Sequence, residues 1–364
     1  MNLAITIIFF ILIFISILEC YSKEGNEKLL GFVSSLLLLS LGVLVCINYG
    51  LPDKLNYIEI FDLLPNDLTT PIDYGLVHGE KGFLFLTTVL KSIGFSYNLV
   101  FLFYYFLSLA ILLFVFNFKL KYTCLIIVCY FSHAYLNKEL IQIRAGLVSS
   151  LFLLCLYYIS VGRNKLTLTL VFVGSLFHTS MLIFLTTYIV NYFLKFNRDK
   201  IIKFSLVVLL LSLVLAFIFP SKKVIELLAI IGLVPVSVTN YINWDNFNYE
   251  LGVFNPVTVK QILLSFLSIY IIYIYKVRDR FFLISITAYV ISTSWLIFFN
   301  DFAILAARVA SVMSVSEFVI ISYVLMLSKS KNYFFFAFII VSIFMFMTNV
   351  FVKDILGNFY TEVI

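Results

Sequence analysis

The segment NKELIQIRAGLVSS, residues 137–150, sets Lys138, Glu139 and Arg144 at the start of a run that is otherwise apolar as far as Val161. A run of this length and polarity crosses a bilayer as a helix, since about 20 apolar residues span the hydrocarbon core. Charged groups inside such a helix cost free energy and usually face a polar cavity. The segment therefore predicts a membrane helix that brings an arginine to a polar site near one surface of the membrane.

The rest of the chain shares this apolar character. Of its 364 residues, 63% are hydrophobic and 12% are charged, whereas a soluble domain has about 25% charged residues. The mean hydropathy is +1.09, and apolar runs long enough to cross a bilayer recur along the whole length. This composition predicts an all-α polytopic membrane protein with one integral membrane domain over residues 1–364.

Several signatures of soluble catalysis are missing from the sequence. It has no GxxxxGK loop for nucleotide phosphates, no paired Cys/His spacing for a metal ion and no HExxH motif. We therefore expect no metal, no cofactor and no nucleic-acid partner. A nucleotide-driven reaction on the cytoplasmic side is also disfavoured, because no soluble region could hold the nucleotide.

Twelve apolar segments are candidates for membrane helices, so about 12 transmembrane helices are predicted. They are 3–19, 29–49, 97–117, 122–136, 139–161, 166–178, 180–194, 203–219, 257–275, 281–299, 302–327 and 332–352.

Positive charges sort the connections between these segments into two sets. Fifteen of the 25 Lys and Arg lie in six short, alternating connections, which is the pattern of cytoplasmic loops. The pattern requires 166–194 to cross twice, with a reversal near FHTS at 177–180. Both termini, and two long segments at 50–95 and 220–256, are then predicted to lie on the outer, periplasmic side.

Two arginines on different helices are predicted at similar depth below the outer face. Arg144 and Arg308 each lie in the second turn of a predicted span, counted from the outer side. Each could extend its charge to lipid phosphates. Alternatively, the two could form a shared anion site, because guanidinium groups bond phosphate oxygens in pairs and stay charged when desolvated. The polar residues expected beside them are Asn137, Glu139, Gln142, Asn300 and Asp301.

All three histidines of the chain, His78, His133 and His178, are predicted near the outer side. A histidine can act as acid, base or hydrogen-bond donor near neutral pH, although a membrane histidine is often only a hydrogen-bonded interior residue. His178 is the strongest candidate because it lies at the predicted reversal. His133 is a candidate substrate-binding residue.

Carboxylates supply the candidate bases. Glu80 and Asp73 lie in the first outer segment, where either could take a proton from a sugar hydroxyl or simply be solvated. Glu317 lies near the middle of a predicted span, where a lone carboxylate is costly. We expect Glu317 to be protonated or bonded within the helix bundle, and it is a candidate substrate-binding residue.

The second outer segment contains TNYINWDNFNYE at 239–250, in which aromatic residues alternate with amides and acids. Trp244 and Asp245 could grip a sugar, since rings pack on pyranose faces while polar groups bond hydroxyls. The alternative is an aromatic belt at the level of the lipid headgroups.

A resemblance to a known family adds to this interpretation. NKELIQIRAGLVSSLFLLCLYYI at 137–159, followed by RNK and by LVFVGSLFHTSMLIFL at 170–185, resembles the core of the EpsG-like, Wzy-type O-antigen and exopolysaccharide polymerases. Arg144 and His178 match the arginine that opens one span and the histidine that ends another.

Two further segments resemble the same family. EKGFLFL at 80–86 resembles its upstream Glu-x-Gly-aromatic segment, with Lys81 where proline is common. AARVASVM at 306–313 resembles a later arginine-containing span, in which Arg308 matches.

The resemblance implies a fold similar to that of the multi-span GT-C glycosyltransferases. It implies a nucleotide-independent enzyme of the bacterial cytoplasmic (inner) membrane that faces outward. The growing glycan would move from undecaprenyl pyrophosphate to a hydroxyl of the next lipid-linked repeat unit. Membrane lipids, a flippase and a chain-length regulator are the other partners that it suggests.

Two alternatives stay open at the level of sequence. A flippase for the same lipid-linked units would need cations along a path through the bilayer, whereas the predicted intramembrane cations cluster on one side. A membrane O-acyltransferase would need a site for an acyl donor.

Overall fold

The computed structural model describes residues 2–22, 25–43, 52–77, 79–231 and 250–355, and the regular secondary structure within these ranges is helical. The all-α prediction is confirmed for this part of the chain. The helices used below are α1 (Asn2–Tyr21), α2 (Asn26–Ser40), α3 (Pro52–Leu63), α4 (Lys81–Ser92), α5 (Tyr97–Lys119), α6 (123–138), α7 (Ile143–Ser160), α8 (Asn164–Ser175), α9 (Thr179–Leu194), α10 (Arg198–Ile218), α11 (Ser221–Ile230), α12 (Pro256–Tyr275), α13 (Arg280–Phe298), α14 (Ala303–Leu327) and α15 (Lys331–Val352).

Eight helices within the described residues are long and apolar enough to cross a membrane, namely α1, α5, α7, α10, α12, α13, α14 and α15. Each overlaps one of the twelve predicted spans, so the chain is a multi-pass membrane protein. The other four predicted spans correspond to shorter helices, α2, α6, α8 and α9. The count of twelve crossings and the likeness to GT-C enzymes stay predictions.

The chain divides into two compact units. The first contains residues 1–157, 164–181 and 321–364, and the second contains residues 158–163 and 182–320. The two predicted outer segments contain helices: α3 and α4 lie within 50–95, and α11 lies within 220–256. Their side of the membrane stays a prediction.

In the first unit α6 is a buried helix, and α1, α2 and α15 pack against it. The packing is aromatic: the ring of Phe9 stacks on Phe346 at a centroid distance of 4.1 Å and on Phe131 at 6.0 Å. The carboxylate of Glu19 accepts the backbone N–H groups of Cys124 and Leu125. It thereby satisfies donors that the first turn of a helix leaves unpaired.

The end of α6 is wound as a π-helical turn at Tyr130–Tyr135, and a tight connection leads from it into α7. The carboxylate of Glu139, in this connection, accepts hydrogen bonds from Ser108 and Tyr130. A Cβ at Gly146 would lie 2.9 Å from an oxygen of that carboxylate. Glycine at this position therefore lets the buried carboxylate approach the first turns of α7.

In the second unit α13 is the central helix, and α10, α12 and α14 pack on it. Most of α13 is buried. Small hydroxyl side chains form hydrogen bonds between the helices. Ser265 Oγ lies 3.0 Å from Thr293 Oγ1, and Ser292 Oγ donates to the backbone oxygen of Ala310 at 2.8 Å. A short 3₁₀ turn at Ser314–Ser316 interrupts α14 directly before Glu317.

Candidate functional site

The side chain of Arg144 lies in the first turn of α7 and contacts the carboxylate of Glu80. Its Nη1 donates to Glu80 Oε2, and the two side chains are 23% and 18% exposed. Glu80 directly precedes α4, so the contact joins residues that lie 64 positions apart in the chain. An ion pair that is partly open to solvent can exchange one partner for a ligand, which a fully buried pair could not do without unfolding its surroundings.

Two neighbouring aromatic rings, whose centroids are 5.7 Å apart, lie against the guanidinium of Arg144. Its Cζ lies 5.1 Å from the ring centroid of Tyr57 and 5.2 Å from that of Phe83. The Nε–H group also donates to the Tyr57 hydroxyl at 3.2 Å. Contact with aromatic rings suits the flat, weakly hydrated guanidinium. It restricts the directions in which Arg144 can present its remaining N–H groups.

His178 lies in the short connection between α8 and α9. Its Nδ1 is 3.9 Å from Glu80 Oε1, and the same oxygen accepts the backbone N–H of Thr179 at 3.3 Å. His178 is 21% exposed. The helix ends at Ser175 and a new one begins at Thr179, so the chain breaks near FHTS, and His178 lies next to the carboxylate that binds Arg144; the reversal of direction stays a prediction.

The backbone of Ser180 determines which ring nitrogen of neutral His178 carries the proton. Ser180 N–H donates to His178 Nδ1 at 3.2 Å, and Ser180 Oγ lies 2.8 Å from the same nitrogen. A backbone N–H can only donate, so Nδ1 must offer its lone pair. The proton of the neutral ring is therefore on Nε2, which makes Nε2 a hydrogen-bond donor.

Gly82, at the start of α4, contacts the connection between α8 and α9 closely. The backbone N–H groups of Gly82 and Phe83 both donate to the backbone oxygen of Leu176, at 2.8 and 3.2 Å. A Cβ at position 82 would lie 2.7 Å from Leu176 Cβ and 2.8 Å from its backbone oxygen. Only glycine fits without displacement, and this close approach sets Glu80 beside His178.

The other residues predicted in the first unit lie in different surroundings. Asp73 is exposed in a turn, where it accepts the backbone N–H of Gly75 at 2.8 Å. Asn137 donates to the backbone oxygen of His133 at 2.8 Å, and His133 Nδ1 lies 3.1 Å from the side-chain nitrogen of Asn349. Gln142 is half-buried at the entry to α7. Their predicted roles in substrate binding and proton transfer stay predictions.

Glu317, in the second unit, is bonded within the helix bundle as expected. Its carboxylate lies 2.8 Å from Lys260 Nζ and accepts the hydroxyl of Tyr289 at 3.3 Å. Arg308 is half-buried on α14 in the same unit. The shared anion site of Arg144 and Arg308 stays a prediction, because the two arginines belong to different units. His78, Trp244 and Asp245 lie outside the described residues.

Several neighbours of the predicted residues were missed at the level of sequence. They are Tyr57, Phe83, Ser180, Lys260 and Asn349. Ser180 was within reach of sequence reasoning, since it lies two residues after the candidate histidine. The others contact their partners only through the tertiary structure. Across the described ranges no group of three His, Cys, Asp or Glu side chains could hold a metal ion.

The chain is 27% identical over 213 residues to the amylovoran biosynthesis protein AmsC of Erwinia amylovora, a match that covers 57% of this chain and 55% of that protein. The chain thus matches only about half the length of this curated relative. No solved structure matches the chain significantly. The sequence model of the EpsG family matches residues 31–361; since this is most of the chain, the protein belongs to the EpsG family.

Proposed function

We propose that the chain is a polysaccharide polymerase of the bacterial cytoplasmic (inner) membrane, with its active site facing outward. It transfers a growing glycan from undecaprenyl pyrophosphate to a hydroxyl of the next lipid-linked repeat unit. Membership of the EpsG family and the similarity to a protein of amylovoran biosynthesis support this function. The observation that carries it is the convergence of Arg144, Glu80 and His178.

The reaction needs different groups on the two sides of one carbon atom. The bond from the anomeric carbon to the pyrophosphate oxygen breaks, and a bond from the same carbon to the acceptor oxygen forms. The acceptor hydroxyl loses its proton, and the departing pyrophosphate gains negative charge. A base is therefore needed beside the acceptor, and positive charge with N–H donors is needed beside the pyrophosphate.

Arg144 is the group that binds the pyrophosphate. A guanidinium can give two parallel N–H groups to phosphate oxygens, and the rings of Tyr57 and Phe83 hold its plane in one orientation. Since the side chain is 23% exposed, an anion can reach it without unfolding the unit. Arg308 is proposed as a second cation for the same lipid carrier.

His178 donates a hydrogen bond to the departing pyrophosphate. Its Nδ1 accepts from the Ser180 backbone, so the neutral ring has its proton on Nε2 and cannot take a second proton there without first losing one. A donor role fits this tautomer better than a role as the base that activates the acceptor.

Glu80 is the base that accepts the proton of the acceptor hydroxyl. Its two oxygens face Arg144 and the backbone N–H of Thr179, so it lies beside the group that binds pyrophosphate. Asp73, the other candidate, is exposed in a turn and accepts a hydrogen bond from Gly75. The geometry therefore favours Glu80 over Asp73.

The lengths of two hairpin limbs support a site recessed below the outer surface. From the cytoplasmic side proposed by the charge pattern, α6 rises about 24 Å over residues 123–138, and α8 rises about 18 Å over its 12 residues. Both are shorter than the hydrocarbon core of about 30 Å. The connection after α6, which leads directly to Arg144, and the connection after α8, which contains His178, would thus lie in a depression open to the outer side, where lipid-linked sugars are proposed to enter. Trp244 and Asp245 are proposed to grip those sugars.

The test is polymerisation of purified lipid-linked repeat units by the reconstituted protein. We expect wild type to form chains of several units, and Glu80→Gln, which removes the base but keeps the shape, to slow chain growth about 10²- to 10⁴-fold. Asp73→Asn is the matched control and should polymerise like wild type. Equal rates for wild type and Glu80→Gln would remove Glu80 from the reaction.

The surface glycan of a deletion strain separates the polymerase from its alternatives. Loss of a polymerase leaves caps of a single repeat unit, whereas loss of a flippase removes all repeats. Full-length glycan that lacks only acyl groups would instead identify an O-acyltransferase. The first result supports the proposal, and either of the others would replace it.

A further inference from the structure

Tyr57 is a buried residue of α3 whose hydroxyl lies against Arg144. The residue is 6% exposed, and its ring packs on Phe83 and Phe101 at centroid distances of 5.7 and 5.6 Å. The packing holds the ring in one orientation, so the hydroxyl position is determined by the helices α3, α4 and α5.

The Tyr57 hydroxyl has a hydrogen atom left to donate. It accepts the Nε–H of Arg144 at 3.2 Å, which occupies a lone pair of the oxygen and not its proton. Burial raises the pKa of Tyr57, so the phenol stays protonated at neutral pH. A hydroxyl that accepts from a cation is polarised and becomes a stronger donor to an anion.

The guanidinium leaves one nitrogen for a ligand. Nε donates to Tyr57 and Nη1 donates to Glu80, whereas Nη2 makes no hydrogen bond to the described residues. In the planar fork, one N–H of Nη2 lies alongside the Nε–H and the other alongside an N–H of Nη1. A ligand oxygen that accepts the N–H of Nη2 alongside the Nε–H would therefore lie next to the Tyr57 hydroxyl.

We propose that Tyr57 is a binding residue for the anion held by Arg144, and that its O–H donates to the same phosphate group that accepts from Nη2. This inference rests on the proposed function, since it takes the ligand to be a phosphate or pyrophosphate. Tyr57 acts at the ligand itself and also orients Arg144 through the Nε contact.

Binding of inorganic pyrophosphate to the full chain in phosphatidylcholine nanodiscs, followed by calorimetry, tests the role of Tyr57. Tyr57→Phe keeps the ring that lies 5.1 Å from Arg144 Cζ and removes only the hydroxyl. We expect its affinity to fall about 10- to 100-fold, the effect of one hydrogen bond to a charged group. Melting temperature should stay near that of wild type, because the packed ring is unchanged.

Tyr104→Phe is the matched control within the same aromatic cluster. The Tyr104 hydroxyl lies 3.2 Å from Thr87 Oγ1 and donates to the backbone oxygen of Phe83 at 3.3 Å. This variant should bind pyrophosphate as wild type does. A loss equal to that of Tyr57→Phe would mean that any hydroxyl of the cluster matters for packing, and would overturn the assignment.

Arg144→Ala separates this inference from the proposed function. If wild type and Arg144→Ala bind pyrophosphate equally, the anion site of the proposed function is wrong. If Arg144→Ala loses binding while Tyr57→Phe binds like wild type, the role of Tyr57 alone is wrong. Loss in both variants, with Tyr104→Phe unaffected, supports both statements.

The phosphate could come from the lipid carrier or from a membrane headgroup, so a second arm adds phosphatidylglycerol to the nanodiscs. If phosphatidylglycerol competes with pyrophosphate in wild type and competes less well in Tyr57→Phe, a headgroup phosphate is a ligand of the site. Unchanged pyrophosphate binding assigns the site to the free or carrier-linked anion. In either arm, an equal affinity of wild type and Tyr57→Phe for pyrophosphate would contradict the proposal.

Discussion

At the scale of single residues, the fork of Arg144 is the feature on which the proposed site depends. Replacement by Lys keeps the charge but removes the paired N–H groups and the flat surface that packs against Tyr57 and Phe83. We expect Arg144→Lys to lose polymerisation nearly as fully as Arg144→Ala, by at least about 10²-fold.

The measurement is chain length of the product at equal amounts of folded protein. Arg163→Lys, at an exposed arginine between α7 and α8, is the matched control and should polymerise normally. Full-length polymer from Arg144→Lys would show that a point charge is sufficient and that the fork has no role.

His178 offers a second test at the same scale, because two amides imitate its two nitrogens separately. The side-chain nitrogen of Gln lies three bonds from Cβ, as Nε2 does, whereas the amide of Asn is placed like Nδ1. Since Ser180 fixes Nδ1 as the acceptor, the donor role predicts that His178→Gln keeps activity within about tenfold of wild type. His178→Asn and His178→Ala should both lose about 10²-fold or more.

Single-turnover rates with purified lipid-linked units distinguish these variants. Equal losses in Gln and Ala would instead favour a base, since an amide cannot take a proton. Wild-type rates in all three variants would make His178 a structural residue and would move the site elsewhere.

At the scale of helices, the contact of α4 with the connection before α9 is a packing constraint on the site. Gly82→Ala would add a methyl group that clashes with the Cβ and the backbone oxygen of Leu176. Because backbone atoms cannot move aside locally, we expect α4 to shift and to separate Glu80 from His178. Polymerisation should fall at least tenfold, with a loss of about 1–3 kcal/mol in stability.

Gly75→Ala, in the same segment, is the control, since its new methyl group would meet only the side chain of Asp73. Thermal unfolding and polymerisation of both variants are the measurements. A Gly82→Ala protein that is stable and active would show that this close approach does not position the site.

A second helix-scale prediction concerns the end of α3, the helix that carries Tyr57. Lys91 Nζ donates to the backbone oxygens of Phe61 and Leu64 at 2.7 and 2.6 Å, and lies 4.7 Å from the ring of Phe61. Such donors satisfy carbonyls that a helix C-terminus leaves unpaired. Lys91→Met keeps most of the side-chain volume but removes these bonds, so the end of α3 should fray.

Hydrogen exchange of the amides in α3 measures this effect. We expect protection to fall by about tenfold or more, in line with about 1–2 kcal/mol for lost hydrogen bonds, while α7 keeps its protection. Unchanged exchange in α3 would mean that its packing on α4 and α5 is sufficient without the lysine.

At the scale of the whole molecule, the arrangement of charges predicts which surface faces the cytoplasm. Single cysteines at positions 73 and 198, in a background without the native cysteines, can be labelled with an impermeant reagent in spheroplasts. The positive-inside rule predicts labelling at 73 and none at 198, because Arg198 lies in one of the basic connections. Labelling at 198 but not at 73 would invert the topology and would move the site to the cytoplasmic side.

Much of the fold follows from the sequence because hydrophobic run length is a local property. Eight of the twelve predicted spans correspond to helices that can cross a membrane. The helix break at FHTS also followed, since fifteen basic residues impose an alternating pattern. The short helices were harder: α6 and α8 are apolar but shorter than the other predicted spans, and the burial of α6 depends on packing inside the first unit.

The sequence by itself determined that the chain is an all-α, multi-pass membrane protein, and it identified Arg144, Glu80 and His178 as candidates. Composition and run length are sufficient for the first, and residue chemistry is sufficient for the second. Only the tertiary structure decided which candidates meet: Glu80 contacts Arg144, Asp73 remains in an exposed turn, and Glu317 pairs with Lys260. The tertiary structure likewise decided that Tyr57 and Phe83 lie against Arg144 and which tautomer His178 adopts. The physical reason is that these contacts depend on how helices distant in sequence pack, and the packing is set by long-range burial and close backbone approach, such as that at Gly82, and not by any local pattern.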